Sequence, residues 1–322
     1  DASGREQYYS KLVLVTGSTP FMPMFGNRHY KGVYTFRTLG EADELLSRKI
    51  RTRHTVVIGG GLLGLETARA MQKYHTDITI IEHNRWLMMH QLDEQGSAYL
   101  ENFIAESGIK VILGDSVVSV TGNGRVEGLT LRSGKIVECD TLIIAAGVRP
   151  NISLARDAGL VFQKGIRINN HLQTSAKDIY AIGECAEHDD NVYGLVKPGF
   201  DQAAVLADRL TGGDARYVGS ISATQLKVMS QAVFSAGRNG IDEEPGASVS
   251  EYVFSDKDAG IYRKIRILGN RIIGVIAVGE WHESAVINEA IHEKRKFWFW
   301  HLLRFKATGN IWGDADEVDV ST

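Results

Sequence analysis

Three glycines and one acid carry the clearest chemistry in this sequence. Gly59, Gly61 and Gly64 have the spacing of a dinucleotide-binding turn, and Glu82 follows at the end of an apolar stretch. In such a turn the first glycine permits a tight bend, the second lets the backbone approach a pyrophosphate, and the third lets a helix pack closely on a strand. The acid is expected to accept hydrogen bonds from ribose hydroxyls. The predicted nucleotide site includes five residues of the glycine motif: Gly59, Gly61, Leu62, Leu63 and Gly64.

The elements needed to position these residues are present around them. A strand over 55–58 precedes the glycines, a helix rich in Ala, Leu and Met follows, and a second strand over 77–81 leads into Glu82. The free N–H groups and the dipole at the helix N-terminus favour a phosphate. A purely structural glycine turn is the alternative, but it does not explain the terminal acid. Glu82 favours NADH over NADPH, because a 2′-phosphate would face a carboxylate, whereas Arg85 opposes that preference.

Length and composition limit the classes of protein to which this chain can belong. The chain has 322 residues, enough for two or three domains, and a formal net charge of -3, which argues against a nucleic-acid partner. The strongest apolar run, 272–278, has the length of a strand and is too short to cross a bilayer, which argues against membrane insertion. Cys139 and Cys185 form neither a CxxC pair nor a metal-ligand cluster, so we predict buried thiols, no metal site and a cytoplasmic protein.

Two further strand ends carry glycine. The strand 11–15 ends in the turn 16–20, and the strand 178–182 delivers Gly183 and Glu184 to a loop or helix, where a second nucleotide could lie. A buried strand over 140–145 leads to Gly147, for which a simple turn is the alternative. Helices are predicted over 39–49, 93–107 and 198–210 from their periodicity and end residues.

The pattern changes from about Tyr217. Antiparallel strands are predicted over 226–228, 232–235, 248–254, 261–268 and 271–278, followed by a helical region over 283–306. That region holds a basic and aromatic segment, 294–306, which could dock an acidic electron carrier or a membrane surface. The alternative is a packing helix whose tryptophans fill a domain interface and whose lysines are solvated.

In this order the motifs resemble those of the pyridine nucleotide-disulfide oxidoreductase superfamily. LVLVTGSTP at 12–20 and DIYAIGECA at 178–186 look like FAD-domain motifs, and IIAAGVRPN at 143–151 looks like the exit from an NAD domain. The stretch 183–200 is most similar to the flavin part of NADH-dependent nitrite reductase large subunits, with rubredoxin reductases as near relatives. Glu184 stands where the superfamily usually has Asp. Glu occurs at this position in the nitrite-reductase-like branch, which narrows the resemblance.

The resemblance implies an α/β fold with two Rossmann-like nucleotide-binding domains, the FAD domain incomplete, and a C-terminal α+β domain. The expected boundaries are 1–50 for a remnant of the FAD domain and linker, 51–150 for the NAD domain, 151–216 for the second part of the FAD domain and 217–322 for the last domain. The first FAD glycine motif should precede residue 1. We therefore expect a longer parent protein, and this chain alone could be inactive.

The resemblance also implies the cofactors and their contacts. FAD would lie against Thr16, Gly17, Gly183 and Glu184, and NADH against the 59–64 turn, Glu82 and Gly147. Glu66 would lie beside the nicotinamide as the candidate catalytic residue; a solvated first-turn acid is the alternative.

The implied activity is that of an NAD(P)H-dependent flavoprotein oxidoreductase. Hydride would pass from NADH to FAD, and electrons would go on to a small redox protein or a haem domain. The resemblance is also compatible with a homodimer. The alternative is an NADH-responsive flavoprotein redox sensor similar to the apoptosis-inducing-factor branch, in which reduction changes association.

Overall fold

A computed structural model describes residues 4–23, 30–48, 51–220, 223–240 and 248–312. Its strands are β1 (Leu12–Leu14), β2 (Ser18–Pro20), β3 (Val33–Thr35), β4 (His54–Ile58), β5 (Asp77–Glu82), β6 (Lys110–Leu113), β7 (Val117–Thr121), β8 (Gly128–Leu131), β9 (Ile136–Glu138), β10 (Thr141–Ile144), β11 (Val148–Pro150), β12 (Ile166–Ile168), β13 (Ile179–Ala181), β14 (Ala186–His188), β15 (Ala223–Val228), β16 (Gln231–Gly237), β17 (Val249–Asp256), β18 (Ile261–Leu268) and β19 (Arg271–Val278). Its helices are α1 (Leu39–Arg48), α2 (Leu62–Gln72), α3 (Glu94–Glu106), α4 (Ser153–Asp157), α5 (Val196–Leu210), α6 (Ser284–His292) and α7 (Phe299–Thr308), with a 3-10 turn over Gly183–Cys185.

The chain divides into two compact units, each built from two separate stretches. One unit comprises Asp1–Phe21 and Gly147–Ser220, and the other comprises Met22–Ala146 and Ile221–Thr322. The predicted nucleotide segment and the predicted C-terminal domain thus share the larger unit. The domain boundaries expected from the sequence stay a prediction.

A parallel five-stranded sheet forms the first part of the larger unit. Its strand order is β3-β10-β4-β5-β6, and every neighbouring pair is parallel. Val56 and Val57 on β4 and Leu142 and Ile143 on β10 are fully buried, as expected for central strands covered on both faces. The α/β class predicted from the sequence is confirmed. Because the strands are parallel, their carboxyl ends meet at one edge, where the glycine turn lies.

An antiparallel five-stranded sheet forms the second part of this unit. Its order is β15-β16-β19-β18-β17, with α6 and α7 following the last strand, which confirms the α+β prediction for this region. The predicted helical region is two helices rather than one. Lys294 has a positive φ of 54°, and the Phe297 N–H donates to Asn270 O at 2.6 Å, so this stretch follows the sheet edge instead of continuing α6.

The two parts of the larger unit share one hydrophobic core. The apolar face of α2 and α3 and the antiparallel sheet bury their side chains together. The cluster joins Leu65, Met71, Leu100 and Ile104 with Val228, Met229, Val233, Tyr262, Ile276 and Val278. The C-terminal sheet is therefore part of the packing that holds α2 in place.

Asp93 strengthens this junction through hydrogen bonds. Its side chain caps α3 by accepting the Gly96 N–H at 2.9 Å, and it also accepts from the Tyr262 hydroxyl at 2.8 Å and the Lys264 ammonium at 3.2 Å. Burial and the neighbouring Asp93 carboxylate raise the pKa of Tyr262, which keeps its hydroxyl protonated as the donor. One carboxylate thus satisfies a helix end and a buried phenol.

The smaller unit is built from short strands around its own core. β1 pairs with β13 in parallel, β12 pairs with β14 in parallel, and β2 pairs with β11 in antiparallel register. Leu14, Ile166, Ala181 and Leu206 belong to its buried cluster, to which α5 contributes. Among the described residues, no helix combines the length and apolarity required to span a bilayer.

Asp93→Ala should destabilise the larger unit by roughly 2–3 kcal/mol, because it removes a helix cap and leaves the buried Tyr262 hydroxyl without its acceptor. Urea unfolding followed by fluorescence measures the change. Gln95→Ala, an exposed residue in the first turn of α3, is the matched control and should stay near wild type. Equal stability of the two variants would contradict the role given to Asp93.

Candidate functional site

The glycine turn after β4 has no room for side chains at two positions. A Cβ on Gly64 would lie 2.0 Å from the Gly59 carbonyl oxygen, and a Cβ on Gly59, whose φ is +113°, would lie 2.3 Å from the Ala145 carbonyl oxygen. The Gly59 N–H also donates to Ile81 O at 2.9 Å. Helix α2 can therefore approach β4 and β10 this closely only with glycine at both positions.

Gly61 differs from its neighbours because it faces open space. No heavy atom lies within 4 Å of a Cβ built on it, whereas a Cβ on Gly60 would lie 2.4 Å from Leu87 Cδ2. Gly61 is the N-cap of α2 and makes no side-chain cap, so the first N–H groups of the helix have no side-chain acceptor there. Leu62 and Leu63 begin the helix, and the Leu63 side chain is 44% exposed. This open backbone at a helix N-terminus suits an anion.

Glu82 closes β5 beside this turn and is bonded on both oxygens. Oε2 accepts the Gly60 N–H at 2.6 Å, and Oε1 accepts the Asn84 N–H at 2.7 Å. The side chain is buried. A carboxylate has about four lone-pair positions, so capacity remains for ribose hydroxyls. The turn, the open Gly61 and the adjacent acid therefore fit a dinucleotide.

Glu66 makes a contact that the sequence did not indicate. Its Oε1 accepts the Met229 N–H at 3.0 Å, and Arg69, one turn further along α2, lies with Nη2 3.3 Å from the Ser230 hydroxyl. Met229 and Ser230 form the turn between β15 and β16 and both have positive φ. The carboxylate is thus tied to the C-terminal sheet rather than fully solvated. A position beside the nicotinamide stays a prediction.

The smaller unit presents a second glycine and acid at a strand end. Gly183 follows β13 with a φ of +79° and open space at its Cβ position, and its N–H donates to Gln202 Oε1 at 2.7 Å. Glu184 Oε2 accepts from the Ser18 hydroxyl at 2.7 Å. The buried Gln202 lies on α5 and fixes the turn that presents Glu184.

The smaller unit also contains Thr16, Gly17 and Gly147. The Thr16 hydroxyl donates to Asn151 O at 2.6 Å, and the Asn151 N–H donates to Gly17 O at 2.8 Å. Gly147 O accepts the Phe21 N–H at 2.9 Å. Gly17 and Gly147 both have positive φ and no atom within 4 Å of a Cβ position. Left-handed backbone with free space is compatible with ligand approach at both turns.

Sequence reasoning missed three polar side chains that position these groups: Ser18, Gln202 and His83. Ser18 could have been noticed because it lies in the TGSTP turn, and His83 because it follows Glu82; its Nδ1 lies 3.0 Å from Glu82 Oε1. Gln202 carries no local signal, since its partner Gly183 is distant in sequence.

Both cysteines are buried and free, as predicted, and burial raises the pKa of Cys139 to about 12. The described stretches show no cluster of three or more possible metal ligands.

Comparison with protein families gives two matches. The model described as pyridine nucleotide-disulphide oxidoreductase matches residues 1–205. The model described as rubredoxin NAD+ reductase C-terminal domain matches residues 223–295. Together these matches span the glycine turns of both units and all five strands of the antiparallel sheet.

Individual relatives support the same assignment. The chain is 40% identical over 281 residues to the nitrite reductase [NAD(P)H] of Bacillus subtilis, covering 87% of this chain and 34% of that protein. It is 30% identical to the nitric oxide reductase FlRd-NAD(+) reductase of Aliivibrio fischeri, covering 88% of this chain and 73% of that protein. The structure of NADH:rubredoxin oxidoreductase from Clostridium acetobutylicum superposes with a TM-score of 0.70 at 26% identity, covering 92% of this chain and 72% of that one. The chain spans about a third of the length of the nitrite reductases it matches.

Gly61→Ala and Gly64→Ala should separate ligand binding from folding. Gly61→Ala should change the free energy of unfolding by less than about 1 kcal/mol and weaken NADH binding at least about tenfold, because its methyl group occupies the space open to a pyrophosphate. Gly64→Ala should also lose roughly 1–3 kcal/mol of stability through its clash with Gly59. Calorimetry measures both quantities.

Gly40→Ala, in the exposed first turn of α1, is the matched glycine control and should leave NADH binding unchanged. Unaltered NADH binding by a stable Gly61→Ala variant would remove Gly61 from the site.

Proposed function

This chain belongs to the pyridine nucleotide-disulphide oxidoreductase family, and from that premise we propose that it oxidises NADH through bound FAD and delivers the electrons to a separate protein acceptor. The observation that carries the proposal is the open backbone of Gly61 at the start of α2, beside the bonded carboxylate of Glu82. When bound, the two cofactors would supply hydride transfer from the nicotinamide to the flavin, from which the electrons would pass to the acceptor.

The chain's own residues bind and orient the nucleotide in this proposal. The N–H groups at the start of α2 receive the pyrophosphate, and the remaining lone pairs of Glu82 receive the adenosine ribose. Glu66 is proposed to lie beside the nicotinamide. Its bond to Met229 N fixes one carboxylate oxygen and leaves the other for a ligand.

The smaller unit is proposed to hold FAD through Thr16, Gly17, Gly183 and Glu184. The Ser18 hydroxyl orients Glu184, whose carboxylate then accepts from a ribityl hydroxyl. Glutamate is longer than the aspartate usual in the family, and the Ser18 contact restricts that extra freedom. Gly147 is proposed to contact NADH, rather than FAD, through its backbone.

The second half of the reaction is proposed to be electron transfer rather than disulfide chemistry. Cys139 is buried with a raised pKa, and the Cys185 thiol donates to the carbonyl of Ile182 at 3.3 Å, so neither offers an exposed thiolate. Free, buried thiols also accord with the proposed cytoplasmic location. A small redox protein or a haem domain is the proposed acceptor class.

The basic-aromatic surface supports docking of an acidic acceptor. We define this surface as Lys294, Lys296, Trp298, Phe299, Trp300, Leu303 and Arg304, all exposed. Trp298 and Trp300 stack with ring centroids 5.5 Å apart and are 46% and 61% exposed. The rings of this pair are thus exposed on the chain, whereas Phe297 and Phe305 pack inward. Exposed aromatic rings with cations beside them are typical of a docking surface.

Polar bonds hold this surface to the sheet. Glu283 accepts the N–H groups of Ile311 and Trp312 at 2.6 Å each, and Arg263 donates to Gly309 O at 3.0 Å, just beyond the end of α7. The helix is thus fixed at its C-terminal end. A fixed helix lowers the part of the ordering cost on binding that comes from the backbone.

A visible absorption spectrum tests the cofactor chemistry. The FAD-loaded chain should show a flavin band that bleaches on addition of stoichiometric NADH under anaerobic conditions, and steady-state turnover with ferricyanide should be rapid. A flavin band that NADH does not bleach would contradict the proposal. A long-lived reduced complex without turnover would favour the redox-sensor alternative instead.

Charge reversal tests the docking surface. Lys294→Glu/Lys296→Glu/Arg304→Glu should lower the rate of rubredoxin reduction at least about tenfold at low ionic strength and less at high salt, because exposed charges are screened. Ferricyanide reduction should stay unchanged, since it needs no docking.

The control variant carries the same change in net charge at three other exposed lysines, Lys135→Glu/Lys164→Glu/Lys177→Glu. An equal loss of rubredoxin reduction in both variants would show that the effect comes from net charge alone. Unchanged rubredoxin reduction by the variant at positions 294, 296 and 304 would contradict the docking role.

A further inference from the structure

The turn between β15 and β16 is anchored on one face of α2. Met229 and Ser230 are the two residues that join these strands, and the Met229 side chain is fully buried in the core that α2 shares with the antiparallel sheet. The Met229 N–H donates to Glu66 Oε1 at 3.0 Å, and Arg69 Nη2 donates to the Ser230 hydroxyl at 3.3 Å. Glu66 and Arg69 are three residues apart, so they lie on the same side of the helix.

The backbone of this turn has a conformation that its residues do not favour. Met229 has a φ of 53° and Ser230 a φ of 77°. Two-residue hairpin turns with positive φ at both positions favour Asn-Gly, because other side chains are strained there. Such a backbone persists only where its surroundings hold it. The buried side chain and the two bonds to α2 provide that hold, so the Met229 N–H is fixed relative to the helix.

The bond to Met229 determines which atom of Glu66 is left for a ligand. Oε1 is occupied, and the described part of the chain shows no hydrogen-bond partner for Oε2. A main-chain N–H can only donate, so Met229 requires an acceptor at the Oε1 position. A carboxylate has acceptors at both positions. An amide in its place would have its oxygen held by Met229 and would present its NH2 group where Oε2 now lies.

We propose that Met229 is a positioning residue for the nucleotide, whose N–H holds Glu66 so that Oε2 accepts from the carboxamide NH2 of the nicotinamide. The inference rests on the proposed function, in which Glu66 lies beside that ring. The carboxamide NH2 is the only hydrogen-bond donor of the nicotinamide group, so an acceptor is the group that matches it. One main-chain N–H of the C-terminal sheet thus takes part in selecting the nucleotide.

Calorimetry on the FAD-loaded chain tests this role without turnover. The ligands are ADP-ribose, NAD+ and the oxidised 3-acetylpyridine analogue of NAD+. The analogue has a methyl ketone in place of the carboxamide, so it offers an acceptor and no donor. The wild-type chain should bind NAD+ at least about tenfold more tightly than the analogue, because the analogue places a carbonyl oxygen against Oε2.

Glu66→Gln should remove this discrimination. The dissociation constants of NAD+ and the analogue should come within about threefold of each other or change order, because the amide NH2 now faces the ligand. NAD+ can still bind by turning its carboxamide oxygen toward that NH2. ADP-ribose, which has no nicotinamide, should bind as it does to the wild-type chain. A residue with only a structural role would affect the three ligands alike.

Replacement of Met229 by its α-hydroxy analogue isolates the main-chain N–H. The change converts one amide into an ester, which cannot donate. Combined with Glu66→Gln, it should restore a preference for NAD+ over the analogue, because the side-chain amide is then free to turn its oxygen toward the ligand. Glu66→Asp gives a second measure with natural residues. It keeps the charge but is one methylene shorter, so the contact with Met229 is lost and the discrimination should fall below about threefold.

Glu94→Gln is the matched control, an exposed glutamate in the first turn of α3. It should change none of the three dissociation constants.

The outcomes separate the role of Met229 from the proposed function. Equal binding of NAD+ and the analogue by the wild-type chain, or undiminished discrimination by Glu66→Gln, would overturn the inference while ADP-ribose binding upheld the nucleotide site. An ester at position 229 that left the Glu66→Gln preference unaltered would overturn the role of the N–H. Absence of binding by all three ligands would overturn the nucleotide site itself, and the inference with it.

Discussion

The contact between Gly64 and the carbonyl of Gly59 is the constraint on which the site depends. No side chain fits there, so α2 lies directly against β4 and its first N–H groups are carried to the carboxyl edge of the parallel sheet. The same close approach leaves Gly61 open and brings Gly60 within hydrogen-bond distance of Glu82. The proposed binding of an anion, the proposed recognition of a ribose and the placement of Glu66 on the next turn all depend on this one steric limit.

Local features of the sequence were sufficient to predict the glycine turn and the strands and helix around it. The glycine spacing, the apolar strands and the terminal acid have short-range signals, and the predicted α2 region and β5 appear as Leu62–Gln72 and Asp77–Glu82. The fold class, the oxidoreductase family and its FAD and NADH cofactors are confirmed by the family and structural matches. These properties depend on residues that are close together in the chain.

Contacts between distant residues could not be predicted in the same way. Glu66 binds the backbone of Met229, and Gln202 binds the backbone of Gly183, and neither pairing has a period or a motif. The basic-aromatic segment shows a related limit. Hydrophobic periodicity identifies an apolar helix face but not whether another element covers it, so buried Phe305 and exposed Trp300 look alike in sequence.

The shared core of the larger unit has a consequence for synthesis on the ribosome. Leu65 and Met71 emerge early, but their packing partners on β18 and β19 are made about 115 to 130 residues after Ala146, once the whole second stretch of the other unit has been translated. At 5–20 residues per second this delay is on the order of ten seconds. During that time the nascent nucleotide segment carries an uncovered apolar face, which is the kind of surface that chaperones bind.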